Sequence, residues 1–341
     1  MVLAALAAVP IAAILVSAPS GGFEAIAHLA STVLGSYVLN TLALMAMAGG
    51  LALVMGTGCA WLVSAARFPG RSVLAWALVL PLAVPAYIAA YLYGDLLDFS
   101  GPIQGALRGA TGLGAGDYWF PQIRSLPGGA FVLGIVLYPY VYLLARASFA
   151  AQSVSQFRAA RSLGAAPARA FWSVALPAAR PAIAGGLALV LMEVLADFGV
   201  AQYFAIPTFS TGIFRSWLAM GDKQAALKLA AIMLMFVIAL IVLEASTRQG
   251  SAASKDANRD DEPLVQLSPL GKGLASLVCL IPVLFGFLIP TGHLLTMSVS
   301  DAALNAAGDL WSYASGSLWL GLGAALVCVL AALLLAFAKS R

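Results

Sequence analysis

The sequence from Phe157 to Ile183 reads FRAARSLGAAPARAFWSVALPAARPAI and separates two long apolar stretches. Within it, Ala159-Ala160 is followed after three residues by Gly164, and nine residues later by Val174–Pro177. A membrane protein has little reason to keep an ordered polar loop between two spans unless something outside the bilayer binds it. The spacing therefore predicts a structured loop that makes an external contact.

Composition places the rest of the chain in a membrane, because 62% of its residues are hydrophobic and only 9% are charged. A helix needs roughly 20 apolar residues to cross a bilayer core of about 30 Å. Eight stretches meet this need and predict an all-α, polytopic membrane protein with about eight transmembrane helices: 2–18, 37–64, 72–93, 129–149, 181–201, 225–244, 274–297 and 315–338.

The distribution of basic residues predicts the topology. With the N-terminus in the cytoplasm, thirteen of the 18 Lys and Arg residues fall on the cytoplasmic side, the loop around Gly164 included. Cytoplasmic loops of membrane proteins carry such an excess. The bias also accounts for the net charge of +4, so no nucleic-acid partner is predicted.

The spacing around Gly164 resembles the cytoplasmic "EAA" loop of ATP-binding-cassette (ABC) importer permeases, in which Glu-Ala-Ala, Gly and Ile-x-Leu-Pro stand at the same intervals. Arg158 replaces the leading glutamate of that pattern. The resemblance implies a type I permease fold and docking of this loop on an ABC ATPase subunit. The residues expected to form the docking loop are Ala159, Ala160, Arg161, Leu163, Gly164, Pro167, Arg169, Phe171, Trp172, Leu176 and Pro177.

Individual roles follow from residue type. Gly164 permits a tight turn between two short helices, and Pro167 suits the first turn of the second helix. Leu163, Phe171 and Trp172 are expected to be apolar anchors, and Arg161 and Arg169 to pair with acidic residues of the partner. The alternative is an amphipathic loop whose arginines hold it on lipid headgroups.

Further segments, among them DFGVAQYFAIPTFSTGIFRSWLAMGD (Asp197–Asp222), resemble the ferric-iron branch of these permeases. The resemblance implies an importer in the bacterial inner membrane that receives its cargo from a periplasmic binding protein. No Gly-x-x-x-x-Gly-Lys-Ser/Thr loop occurs, so the partner ATPase is expected to hydrolyse ATP. This chain is expected to bind no cofactor and no metal. Permeases for thiamine, polyamines or sulfate remain alternatives.

The sequence also predicts the beginning of an internal repeat, the alternative being that apolar helices rich in small residues resemble one another by composition. Ser36-Tyr37 and the apolar helix that follows it recur at Ser312-Tyr313. The predicted organisation is a first six-helix copy over 1–245 with its core at about 34–244, a polar cytoplasmic linker over 246–270, and an incomplete second copy over 271–341, as expected of a truncated two-copy permease.

Two further features bear on mechanism. Glu193 and Asp197 are four residues apart in an apolar stretch, so they are candidates for lining the translocation path or for pairing with a neighbouring helix. An ion-coupled secondary transporter would use such carboxylates, and it is the main alternative class. Pro81, Pro85 and Pro139 predict bends in the third and fourth stretches. No enzymatic site is predicted.

Overall fold

The computed structural model of the chain describes residues 2–17, 30–114, 116–151, 157, 160–248, 265–299 and 310–340, and nearly all regular structure in those ranges is helical. In chain order the helices are α1 (Val2–Ser17), α2 (Gly35–Ala65), α3 (Arg71–Ala77), α4 (Ala86–Leu97), α5 (Pro102–Thr111), α6 (Leu126–Ala151), α7 (Pro167–Ala170), α8 (Leu176–Ala196), α9 (Gly199–Tyr203), α10 (Phe209–Phe214), α11 (Lys223–Arg248), α12 (Pro269–Val283), α13 (Ile289–Ser298) and α14 (Leu310–Ser340).

The all-α, polytopic architecture is confirmed. Within the described ranges, six helical segments are long and apolar enough to cross a membrane, and a bent pair brings the number to seven. The six are Ser31–Ala65, Leu126–Ala151, Pro167–Ala196, Lys223–Ser246, Pro269–Ser298 and Trp311–Leu334. The predicted first span is α1, whose 16 residues extend about 24 Å at the usual helical rise, which is shorter than a bilayer core.

The third predicted span is broken. Segments Arg71–Ala83 and Ala86–Thr111 meet at an angle of 91°. Pro81 lies in a 3₁₀ turn and Pro85 directly precedes α4, and neither can donate a backbone hydrogen bond to continue a helix. The bend predicted at these prolines is confirmed. Pro139, in contrast, lies inside α6, which runs unbroken.

Helix α6 forms the centre of the core, between α2 and α8. In its apolar window, 78% of the residues are buried, against 33% in Ser31–Ala65 and 28% in Pro167–Ala196. Glycines allow the close approach on both sides of α6. A Cβ at Gly56 of α2 would lie 2.7 Å from the Cβ of Val141, and a Cβ at Gly186 of α8 would lie 2.7 Å from the Cα of Val141. Small residues serve this purpose in membrane helix packing.

Helix α12, which follows the predicted linker, packs on helices that precede that linker. The backbone N–H of Val265 donates to Ala65 O at 3.0 Å, and the helix then runs past α2 and α3. Side chains add hydrogen bonds from Ser276 to Pro69 O (2.8 Å), from Cys59 to Val278 O (3.9 Å) and from the Tyr93 hydroxyl to Phe285 O.

The chain divides into two compact units. The larger, Ser17–Thr291, contains the core just described. The smaller comprises Met1–Val16 and Gly292–Arg341, and its long helix α14 has largely exposed side chains between Trp311 and Leu334. The repeat boundaries at 245 and 270 stay a prediction, and most of the predicted linker, residues 249–264, lies outside the described residues.

Candidate functional site: the Gly164 loop and the opposite membrane face

The loop that follows α6 contains a tight helix-terminating turn at Gly164. Residues 160–162 are helical, and Gly164 has a φ of +87°, a left-handed conformation that favours glycine. The N–H of Gly164 donates to Arg161 O at 3.0 Å, and the N–H of Ala165 donates to Ala160 O at 3.1 Å. This pair of bonds is a Schellman motif, which satisfies the last carbonyls of a helix. The turn predicted at Gly164 is present.

A second short helix begins directly after this turn. Ala166 is extended, and Pro167 occupies the first turn of α7, as its residue type predicts. A π-helical turn, Phe171–Ala175, joins α7 to α8, where Leu176 and Pro177 form the first turn. The loop is thus a helix–turn–helix unit that is continuous with a membrane-spanning helix.

Two apolar side chains of the loop point away from the protein. Leu163 is 88% exposed and Trp172 is 67% exposed. Arg161 and Arg169 are exposed too, and Arg161 donates to Ala165 O at 2.8 Å. Exposed large apolar groups next to arginines are typical of a surface that another protein covers. Arg158 and Ala159 lie outside the described residues.

Phe171 differs from the expectation that it is a third outward anchor. Its ring lies 4.9 Å from that of Trp61 in α2, and Trp61 also contacts Phe149 at 5.3 Å and Phe157 at 5.6 Å. These four residues form what we call the aromatic cluster. Phe157 is 4% exposed, so the cluster holds both ends of the loop against α2 and α6.

Replacing Trp61 with alanine is expected to loosen the loop. Loss of a packed Trp or Phe ring costs about 3–5 kcal/mol, and this loss would fall on the contacts that hold Phe157 and Phe171. Trypsin should then cleave the purified chain faster after Arg161 and Arg169. Trypsin should cleave Trp61→Phe more slowly than Trp61→Ala. Trp119→Ala is the matched control, because the Trp119 side chain is 86% exposed. Equal cleavage rates for Trp61→Ala and the wild type would contradict an anchoring role.

Glu193 and Asp197 lie in different positions: Glu193 is within α8, and Asp197 follows its last residue. Helix α8 ends at Ala196, so Asp197 is its C-cap residue and lies at the helix end. The Asp197 carboxylate accepts backbone hydrogen bonds from Ala201 at 3.0 Å and from Val200 at 3.4 Å, and so caps the first turn of α9. Glu193 is exposed on α8. Lining of a translocation path therefore stays a prediction, with Glu193 the more accessible of the two.

A cavity of about 690 Å³ lies beside α9, and no sequence pattern predicted it. Aromatic rings form most of its wall: Tyr87, Tyr91, Phe198 and Tyr203, together with Ile88, Gly199 and Gln202. Arg124 donates to the Tyr203 hydroxyl at 3.2 Å and forms an ion pair with Asp98 at 2.8 Å. The cavity is lined by residues from α4 and α9, which are far apart in the sequence.

Comparison with known proteins relates the chain to transport permeases. It is 25% identical over 316 residues to the Fe(3+)-transport system permease protein FbpB 2 of Haemophilus influenzae, covering 89% of this chain but only 56% of that relative. It is 27% identical over 214 residues to the molybdenum transport system permease protein ModB of Escherichia coli, and the match covers 61% of this chain and 90% of that relative. It is 28% identical over 195 residues to the sulfate transport system permease protein CysT of Synechocystis, and the match covers 56% of this chain and 64% of that relative. No family model matches.

A solved structure supports the same relation at the level of the fold. A bacterial alginate ABC transporter, solved in complex with an alginate pentasaccharide-bound periplasmic protein, matches 70% of this chain and 87% of its own with a TM-score of 0.57 at 16% identity. The chain thus shares its fold with an ABC transporter and is related in sequence to permease proteins of transport systems.

Proposed function

We propose that the chain is a permease component of a binding-protein-dependent ABC importer in the bacterial inner membrane, with its N-terminus in the cytoplasm. The observation that carries the proposal is the Gly164 turn, because it presents Leu163 and Trp172 outward on a helix–turn–helix unit that is continuous with α8. An ABC ATPase subunit is the proposed partner on that face. A periplasmic binding protein is the proposed partner on the other.

The proposed mechanism is alternating access driven from the loop. Closure of the ATPase dimer would move the Gly164 turn, and the aromatic cluster would pass that movement to α2 and α6, since Trp61 and Phe149 belong to those helices. Continuity of the loop with α8 gives a second route to the core. Gly164, Leu163 and Trp172 therefore act by contact, and ATP chemistry belongs to the partner.

We propose ferric iron as the cargo. The sequence relation to the Fe(3+) permease extends over 89% of this chain, whereas the molybdenum and sulfate relatives above match 61% and 56%. The longer match favours iron, although its identity of 25% is no higher than theirs. Molybdate and sulfate are the competing cargoes of the same transporter class.

Uptake measurements distinguish these cargoes. Cells that lack their own iron importer and express the chain with an ABC ATPase and a periplasmic binding protein from the same organism should accumulate radioactive ferric iron. Uptake should stop when the ATPase carries an inactive nucleotide site. Accumulation of labelled sulfate or molybdate instead would replace iron as the cargo.

The same assay tests the secondary-transport alternative, because Glu193 is an exposed carboxylate in a membrane helix. Uptake by Glu193→Gln should still require an active ATPase. Uptake that persists without an active ATPase, and that Glu193→Gln abolishes, would overturn the proposed function in favour of ion coupling.

A further inference from the structure

Helix α5 is amphipathic, but its polar side faces the protein. Gln104 is only 7% exposed; its amide donates to Leu97 O at 2.8 Å and its carbonyl accepts from the Tyr118 hydroxyl at 2.8 Å. Arg108, one turn further on, donates to the Tyr118 hydroxyl at 3.0 Å and to Phe99 O at 2.9 Å. The two long polar side chains of α5 are thus occupied by internal hydrogen bonds.

The apolar side of α5 faces outward. Ile103 is 43% exposed and Leu107 is 36% exposed, and Ala106 and Ala110 beside them are exposed as well. These four residues follow helical spacing and form one stripe, which we call the α5 stripe. Gly105 and Gly109 lie on the other flank of the exposed surface, and nothing lies within 4 Å of a Cβ built at either. No charged side chain belongs to the exposed side of α5.

The position of α5 in the chain places it at a membrane boundary. Four residues separate it from the end of α4, and it precedes α6, which is long and apolar enough to cross a membrane. Because the Gly164 turn follows the other end of α6, α5 lies at the membrane face opposite to that turn. An exposed apolar helix face at a membrane boundary can be buried among the acyl chains.

We propose that α5 lies in the boundary between headgroups and acyl chains of the leaflet opposite the Gly164 turn, with the α5 stripe in lipid and the Gly105 flank toward water. Lipid fits better than a protein partner, because charged and polar side chains usually surround a protein interface, whereas the exposed side of α5 carries no charge. Trp119, which is 86% exposed in the segment after α5, is a residue type enriched at this boundary. The inference is independent of the cargo and of the ATPase.

Spin labels test the orientation. Single cysteines are placed at Ile103 and Leu107, and as matched controls at Gly105 and Gly109, with Cys328 changed to serine; Cys59 and Cys279 are buried. The labelled full chain is reconstituted in vesicles of phosphatidylethanolamine and phosphatidylglycerol. Collision rates with O₂, which concentrates in lipid, and with a water-soluble nickel chelate are then compared. The ratio of O₂ to nickel rates should exceed one at 103 and 107 and fall below one at 105 and 109.

Two outcomes would overturn the proposal. One is a ratio below one at all four positions, which would put the whole helix in water. The other is water exposure of 103 and 107 in vesicles, followed by immobilisation of those labels only when the binding protein is added, which would assign the α5 stripe to a protein partner. Quenching of tryptophan fluorescence by brominated lipids gives a label-free check. Trp119→Phe should remove a component that these lipids quench. An unchanged quenching profile in that variant would count against the proposal.

Discussion

Gly164→Asp abolishes binding of the ATPase subunit while the chain still inserts in the membrane; this is the result expected from the geometry of the turn. A Cβ at Gly164 meets nothing within 4 Å of the chain itself, so a new side chain projects outward beside the exposed Leu163. The left-handed backbone costs a non-glycine residue only about 1–2 kcal/mol. A carboxylate forced into an apolar contact without a partner costs several kcal/mol, and each 1.4 kcal/mol lowers affinity about tenfold.

Co-purification of the tagged chain with the ATPase measures this effect, and iron uptake follows in the same cells. Gly112→Asp is the matched control, because Gly112 also has a left-handed φ, +68°, and open space around its Cβ, but ends α5 at the opposite membrane face. The control should bind the ATPase as the wild type does. Retained ATPase binding by Gly164→Asp would remove the loop from the docking surface, and loss of binding in both variants would point to general backbone strain.

Gly56→Leu is expected to prevent formation of the core. A Cβ at this position would lie 2.7 Å from Cβ of Val141 and 2.9 Å from both Tyr138 O and Tyr142 N. Two of those atoms are backbone of α6, so rotation of a side chain cannot relieve the contact. Overpacking typically costs about 1–3 kcal/mol where neighbours can adjust, and the cost here should lie at or above that range because α2 and α6 must separate.

Gly50→Leu is the control on the same helix, since Gly50 is exposed and nothing lies within 4 Å of its Cβ. Size-exclusion chromatography in detergent and the thermal midpoint of unfolding give the readout. Gly50→Leu should elute and unfold like the wild type, whereas Gly56→Leu should aggregate or lose most of its folded yield. A wild-type elution profile and midpoint for Gly56→Leu would show that α2 and α6 are less closely packed than described.

Features that depend on neighbouring residues were predictable from the sequence. Membrane spans follow from apolar length, the turn at Gly164 from the absence of a Cβ, the start of α7 from Pro167, and the bend near Pro85 from its missing N–H. Each of these is decided by local chemistry within a few residues. The residue types around Gly164 were therefore enough to predict the turn.

Features that depend on distant residues were not predictable. Trp61, Phe149 and Phe171 come from three parts of the chain, and only the packing of α2 beside α6 brings their rings together. Phe171 was consequently expected to face outward. Asp197 was predicted within the same apolar stretch as Glu193, but α8 ends one residue before it, and its carboxylate caps the next helix. Helical periodicity alone cannot show which side of α5 faces the protein.

The packing of α12 has a consequence for biosynthesis. On the ribosome, the helices up to α11 emerge first, while Cys59 and Tyr93 still lack their partners, which are Val278 in α12 and Phe285 in the turn that follows it. The core of the larger unit is therefore completed only after the chain beyond residue 285 has been translated. A gene divided in the segment between α11 and α12 would yield a first product with an unfinished surface, so that segment is a poor place for evolution or an engineer to split the polypeptide.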